Sequence, residues 1–393
     1  WTRESNLDYA AVYSYDFNEY PHTFTSLQSI DEYFSKQGIY GLDELLEIKI
    51  QKIIAYFERE YTFVNNLPLE PAAKVFGHLH DKKINEKMFF IVMQRLLQEH
   101  NTKLFVAYSQ SLLDGPFFHG IVSLSQLSRR FIYFENKEGQ SHFLFGPSDH
   151  ERFLYLDEIP HYLEDNQSIL MTGKKGTLED LVKFQLPKST KQDNTHFVKV
   201  LIKEDQGKHT IRRDDHLSGH YSLLTRGLGQ KTWSKKFAIA KLEYDHSLQK
   251  PTYPYDLDIV DNSCEQIKFK VNSDTTFFDL KNVLTFSLFE ENEDDEPMGK
   301  YLILPFEKSV KYSIYYQAEK AISILAQDEL KISNSAGEIT CKVAQMGDNM
   351  FSILITLSLN DRYLDTKEKI ENYQQLLAKW NVMRDKTFAF KQN

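Results

Sequence analysis

RRFIYFENKEGQSHFLF, residues 129–145, carries the reading of the fold. Short aromatic and β-branched runs flank Glu-Asn-Lys-Glu-Gly, as expected of two strands joined by a turn. Gly139 supplies the positive φ that a tight connection requires. A hairpin pairs neighbours in sequence, so it argues for antiparallel sheet. It argues equally against the regular strand–helix alternation of a doubly wound fold.

The same texture extends outward from this hairpin. KLFVAYS (103–109), GIVSL (120–124) and RFLYLDEI (152–159) read as further short strands, and a helix is expected at Leu178–Phe184. Upstream the period changes. Ile30, Phe34, Leu42, Leu45, Leu46, Ile50, Ile53, Ile54 and Phe57 recur at three and four, with Gly38 and Gly41 dividing a short helix from a longer one. Asn85–Glu99 reads as another helix, burying Met88, Ile91, Val92 and Leu96.

Downstream, FVKVLIKED (197–205) and FAIAKLEYD (237–245) alternate as strands, and residues 311–331 read as a strand running into a helix. EITCKVAQ (338–345) and MFSILITLSL (350–359) are strands turned at Gly347 and Asp348. A closing helix, Thr366 to Arg384, presents Ile370, Tyr373, Leu376, Leu377 and Trp380 on one face. The elements therefore predict an α+β protein: an N-terminal helical region, then mixed, largely antiparallel sheet domains, and a C-terminal helix. The expected divisions are 1–100, 101–187 and 195–393, with the polar stretch KSTKQDN (188–194) as a linker.

Composition narrows the function classes. Of 393 residues, 41% are hydrophobic and 13% aromatic, enough for large cores or broad contact surfaces. A formal charge of -9 disfavours long-range attraction to nucleic acid or anionic lipid. No apolar run approaches the roughly 20 residues of a membrane span. Only Cys264 and Cys341 are present, which suggests free thiols and a reducing, cytoplasmic compartment. The opening WTRESNLDYAAVYSYDF has neither the basic head nor the apolar stretch of a secretory leader, although the chain begins on Trp1. EENEDDEP (290–297) reads as a solvated acidic loop.

The densest set of reactive side chains is DDHLSGHYSLLTRGLGQKTW, residues 214–233. Gly219-His220-Tyr221-Ser222 resembles the local setting in which papain-like thiol enzymes carry their base. The nucleophile would then be Cys264, with Asp214, Asp215 or His209 orienting His220 and Gln230 donating to an oxyanion. Cys264 follows His220 in the chain, the reverse of the usual order, and EQIKFKVNSD after it alternates like a strand. No helix dipole is thus expected to acidify the thiol. The plainer expectation is a polar hairpin: Tyr221–Leu224 as a buried strand end, His220 at its rim, Trp233 in the core.

Other constellations are less specific. His78, His80 and Asp81 in GHLHDKK, and His216 with His220, read as solvated loop residues, so no metal site is expected. TRGLGQK (225–231) and LMTGKKGT (170–177) lack the spacing of a phosphate loop and read as turns. Asp157-Glu158 and Asp256-x-Asp258 read as strand ends facing solvent. No cofactor is specified by these residues.

RRFIYFENKEGQSHFLF with the following FLYLDEIPHYLED (153–165) resembles part of the middle domain of polyphosphate kinases. The likeness covers under a tenth of the chain, their catalytic histidine motif is absent, and no residue role carries over. Two function classes remain. One is a protein-interaction or assembly component without its own chemistry. The other is a cytoplasmic hydrolase or transferase of the thiol type, using Cys264, His220 and Gln230.

Overall fold

The computed structural model describes residues 29–67, 73–111, 129–148, 153–174, 177–206, 208–221, 223, 239–244, 257–261, 270–272, 275–279, 302–304, 307–325, 329–384 and 386–392. The chain divides into two compact units, 1–188 with 250–252, and 189–249 with 253–393. Helices at both ends of the chain and largely antiparallel sheets make the fold α+β, as the sequence predicts.

Unit 1 opens on helices α1 (Ile30–Lys36), α2 (Leu46–Glu60), α3 (Ala73–His80) and α4 (Glu86–Glu99). Local chemistry fixes the starts of α1 and α4: the Ser29 and Asn85 side chains accept hydrogen bonds from the N–H groups of Glu32 and Met88. Of the apolar stripe read from the sequence, Ile30, Phe34, Ile50, Ile53, Ile54 and Phe57 are buried, whereas Leu42 and Leu45 are exposed. Phe57 meets Phe34 and Phe89 edge-to-face, and the Phe153 ring lies tilted against Phe57 and Phe89. Strand β1 (Thr62–Phe63) pairs in parallel with β2 (Lys83–Ile84) between these helices.

A five-stranded antiparallel sheet follows, in the order β5-β4-β3-β6-β7. Its members are β3 (Lys103–Ser109), β4 (Arg129–Glu135), β5 (Ser141–Phe145), β6 (Gln167–Lys174) and β7 (Thr177–Gln185). The decisive hairpin is β4–β5. Gly139 takes φ 77°, and the Asn136 side chain accepts from the N–H groups of Glu138 and Gln140.

Three readings in this unit are corrected. Leu178–Phe184 is strand, not helix: Leu178, Leu181 and Val182 have helical spacing, but pairing with β6 decides the conformation. RFLYLDEI is not a strand over its described residues; its chain turns at Leu156–Asp157. His78 and His80 lie on α3, with only Asp81 beyond its end. GIVSL lies outside the described residues.

Unit 2 is built on an eight-stranded sheet in the order β10-β11-β9-β8-β15-β19-β18-β17. The strands are β8 (Thr195–Asp205), β9 (Lys208–Leu217), β10 (Ile239–Tyr244), β11 (Leu257–Asp261), β15 (Lys308–Gln317), β17 (Leu330–Asn334), β18 (Gly337–Gly347) and β19 (Met350–Leu359). Every pairing is antiparallel except β8 with β15.

Strict alternation along β8 sends Val198, Val200 and Ile202 to the buried face. Tyr312, Ile314 and Tyr316 join them from β15, Ile353 and Ile355 from β19, and Ile339 and Cys341 from β18. Helix α5 (Lys367–Arg384) lays Tyr373, Leu376 and Met383 on this core, with Ile370, Leu377 and Trp380 packed at its margin. A smaller sheet comprises β12 (Lys270–Asn272), β13 (Thr275–Asp279), β16 (Ile322–Ile324) and β21 (Thr387–Gln392), in the order β12-β13-β21-β16. Short β14 (Leu302–Ile303) pairs with β20 (Tyr363–Leu364).

The helix expected toward residue 331 is replaced by β16 and the start of β17 over the described residues. Helix-forming Ala, Glu and Lys in that stretch yield to pairing with β21 and β18. The stretch 188–194 marks the division between the units, and it is folded rather than slack. Ser189 and Asn194 are buried, and the side chain of Asp193 accepts from the Thr190 N–H. Cys341 is a buried free thiol, and burial pushes its pKa up. Among the described residues no helix is long and apolar enough to cross a membrane.

Candidate functional site

Of the stretch that sequence singles out, residues 214–221 and 223 are described, running from the last strand residues of β9 in unit 2. Its geometry is set by Asn194, which is fully buried. The Asn194 amide donates to Ser189 Oγ at 2.8 Å, to the Thr190 carbonyl at 3.2 Å and to the Glu307 carbonyl at 3.0 Å. Its Oδ1 accepts from the His220 N–H at 2.9 Å. Gly219 sits against this side chain at φ 66°. A Cβ there would overlap Asn194 Oδ1 and the Asp193 carbonyl, so only glycine fits. Ser218 Oγ accepts from Thr195 N–H and donates to the Asp193 carbonyl, closing the turn.

This arrangement corrects two expectations. His220 is not at a rim: it is 1% exposed. Nor is Tyr221 a strand end, because the chain enters a helical turn at His220, with Leu223 N–H bonded to the Gly219 carbonyl. A second buried histidine, His196 on β8, has its ring 5.5 Å from that of Tyr221 and 6.3 Å from that of Tyr312. His216 is on β9, directly across from Phe197, and does not share a helical face with His220. Asp214 accepts from Arg212 Nε at 3.1 Å. Cys264, Gln230 and Trp233 lie outside the described residues, as do TRGLGQK, Asp256 and EENEDDEP; so do the side chains of His209 and Asp215.

Unit 1 holds two constellations that no motif marked. The first is an imidazole between carboxylates. His142 on β5 is 3% exposed; its Nδ1 lies 2.9 Å from Asp157 Oδ2 and its Nε2 3.7 Å from Glu47 Oε1. Asp157 Oδ1 accepts from the Phe143 N–H at 2.8 Å, and Glu47 accepts from Asn136 Nδ2 at 2.8 Å. The Phe134 ring stacks on the imidazole at 5.0 Å. Burial works against protonating His142, but the bond to Asp157 and the charges of Asp157 and Glu47 outweigh it and raise its pKa. Burial also raises the pKa of Asp157, only partly offset by His142. Two acids flanking one ring favour the imidazolium. Asp157 and Glu158 thus face the interior; Glu158 accepts from the Tyr155 N–H at 2.8 Å.

The second is an open polar cleft of about 720 Å³. Asn65, Asn66 and Leu67 line one side, Asn85, Glu86 and Lys87 at the start of α4 another, and Arg129, Pro147 and Ser148 come from the ends of β4 and β5. Arg129 donates to the Gly146 carbonyl at 2.8 Å and to Glu86 Oε1 at 3.3 Å. Burial raises the pKa of Glu86 despite Arg129 and Arg130 nearby. Among the described residues no three His, Cys, Asp or Glu side chains are arranged to hold a metal ion.

No protein-family model matches the sequence, and no curated protein matches it. One solved structure is similar in fold: a Parabacteroides distasonis protein described as a "putative protease", with a TM-score of 0.52 and 10% identity. The likeness covers 96% of this chain and 58% of that one. This chain therefore spans a little over half of that protein's length, and the likeness is one of fold.

Proposed function

We propose that this chain is a protein-interaction or assembly component without its own catalytic chemistry. The observation that carries the reading is the second face of the eight-stranded sheet. Positions alternating with the buried ones bring Phe197, Leu201, Tyr315 and Leu354 to a partly or fully exposed surface. Exposed Lys199, Lys203, Lys311 and Lys342 punctuate this surface. Aromatic and aliphatic groups within a charged fringe suit a protein partner, and the lysines favour one with acidic margins.

The test is a paired substitution, Lys199→Glu with Lys311→Glu, on neighbouring strands. A partner that co-elutes with the wild-type chain from source lysate should be lost, while circular dichroism stays unchanged. Equal retention of the partner would reject this surface.

The second reading keeps the thiol enzyme, with Cys264 as nucleophile, His220 as base and Gln230 as oxyanion donor. It is supported by the local context of His220 and by the neighbour's description; the burial of His220 weighs against it. The two readings predict different thiol chemistry. On the interaction reading Cys264 alkylates slowly at neutral pH, at the same rate in wild type and in His220→Ala. A fast rate that collapses in His220→Ala would establish the thiolate partner and reverse the preference.

A further inference from the structure

We propose that protonation of His142 latches the head of α2 to the tip of the β4–β5 hairpin through Glu47, and that loss of the proton releases Glu47 from both. Three groups meet there from separate elements. Asp157 lies on one side of the ring, with Oδ2 2.9 Å from Nδ1, and Glu47 on the other, with Oε1 3.7 Å from Nε2. Nε2 is buried and makes no hydrogen bond of its own, so the Glu47 carboxylate is what compensates it. The same Oε1 accepts from Asn136 Nδ2 at 2.8 Å, and Asn136 Oδ1 holds the turn by accepting from the Glu138 and Gln140 N–H groups. One carboxylate oxygen therefore serves the ring and the turn together.

Electrostatics decide which group moves. Among the described residues Asp157 and Glu47 are the charged groups that act on the ring. From β4 it is covered by Phe134; Glu135 bonds to Tyr133 on the opposite face of the sheet and pairs with Lys103, and Lys137 and Glu138 are exposed in the turn. With Asp157 ionised, Nδ1 keeps its hydrogen in both forms of the ring, and the proton that titrates is the one on Nε2. Its loss turns a lone pair toward Glu47 and leaves two carboxylates about a neutral, buried ring. Asp157 is held by the Phe143 N–H at 2.8 Å, and its side chain is 10% exposed. Glu47 has 23% of its side chain exposed and sits in the first turn of α2, whose N-cap residue Leu45 supplies no side-chain hydrogen bond. Glu47 is thus the group with a path to water. Nearby, Lys49 stays tied to Asp31 and to the Leu42 carbonyl, so the helix keeps its seat while its head lets go of the hairpin.

The latch rests on unit 1 alone and is independent of the sheet face in unit 2. Its test is hydrogen exchange in the whole chain, read as protection factors so that the intrinsic rise of exchange with pH is removed. The imidazole NMR signals of His142 are titrated in parallel. The Gln140 N–H, whose acceptor is Asn136, should lose protection about tenfold across the His142 titration, while Ile132 and Leu144 in the same strands change less. Glu47→Gln keeps an acceptor for Asn136 and removes the charge. It should hold Gln140 protection constant with pH and lower the pH at which His142 titrates. The comparison of Gln140 with Ile132 in the wild type needs no variant, and it decides the matter if Glu47→Gln does not fold. Parallel losses at Gln140, Ile132 and Leu144 would overturn the proposal, because they report a general weakening of unit 1. So would Gln140 protection that is unchanged while His142 titrates, or a Glu47→Gln profile as steep as that of the wild type.

Discussion

Replacing Asn194 by alanine is expected to destabilise unit 2 by about 3–5 kcal/mol, among the largest effects of any single polar substitution in the chain. The side chain is fully buried and serves four partners drawn from three segments: Ser189 and Thr190, Glu307, and His220. Alanine removes one acceptor and both amide hydrogens at once. The His220 N–H loses its Asn194 acceptor, and each buried group that loses a partner costs about 1–3 kcal/mol. Ser189→Ala removes the bond from Asn194 Nδ2 to Ser189 Oγ, a neutral bond worth about 1 kcal/mol, and should cost less. Urea unfolding decides the matter: Asn194→Ala should lower the midpoint with little change in slope. A loss comparable to that of Ser189→Ala would show that the hub is not cooperative.

The other large effect belongs to His142 and Asp157. Asp157→Ala removes the nearest counter-charge from a buried imidazole and the acceptor for Phe143 N–H, at an expected cost of about 3–5 kcal/mol. Its pH dependence has a definite sign. The pKa of His142 is raised in the folded chain above an unfolded value of about 6.5. The stabilisation from its protonated form is therefore fully present below about pH 6.5 and lost as pH rises through the folded pKa. Asp157, also raised, acts in the same direction at lower pH: the folded state holds its proton longer, so stability falls as pH climbs through that range.

The His142 shift thus predicts that unit 1 weakens as pH rises above about 6.5, and the Asp157 shift adds a loss that begins lower, above the ordinary carboxylate range. Asp157→Asn keeps the residue compatible with its φ of 68° and retains an acceptor for Phe143, while removing the charge. It should flatten the pH profile above pH 6.5. Hydrogen exchange at Phe143 across the same range would report the change locally. A profile as steep in Asp157→Asn as in wild type would assign the pH dependence elsewhere.

Elements set by local pattern were legible in the sequence. The β4–β5 hairpin needed only Gly139 and its flanking aromatics, and α4 and α5 needed only their apolar periods and, for α4, the Asn85 cap. Where a distant partner decides the conformation, the sequence misled. Leu178–Phe184 has helical spacing and helix-tolerant residues, and becomes β7 because β6 is alongside it. His220 carried the right signs of a reactive residue, but its burial depends on Asn194, 26 residues upstream. His142 and Asp157 stand 15 residues apart and belong to no motif. One signal was available: a histidine inside the otherwise apolar run HFLF needs a partner once the strand is buried on both faces. The cleft left no trace because four separate segments assemble it.

The parallel pairing of β8 with β15 divides the large sheet into two antiparallel halves. Strands on one side come from residues 195–261 and those on the other from residues 308–359. Within the halves β8–β9, β10–β11, β17–β18 and β18–β19 pair strands next to each other in sequence, whereas the seam joins Asn194 to Glu307, 113 residues apart. Loop-closure entropy must be met there before the contacts repay it. The hydrophobic face of β8 and that of β15 remain half-built until that moment. Unit 2 should thus gather its secondary structure early and acquire its cooperative core late, at the rate of one long-range encounter.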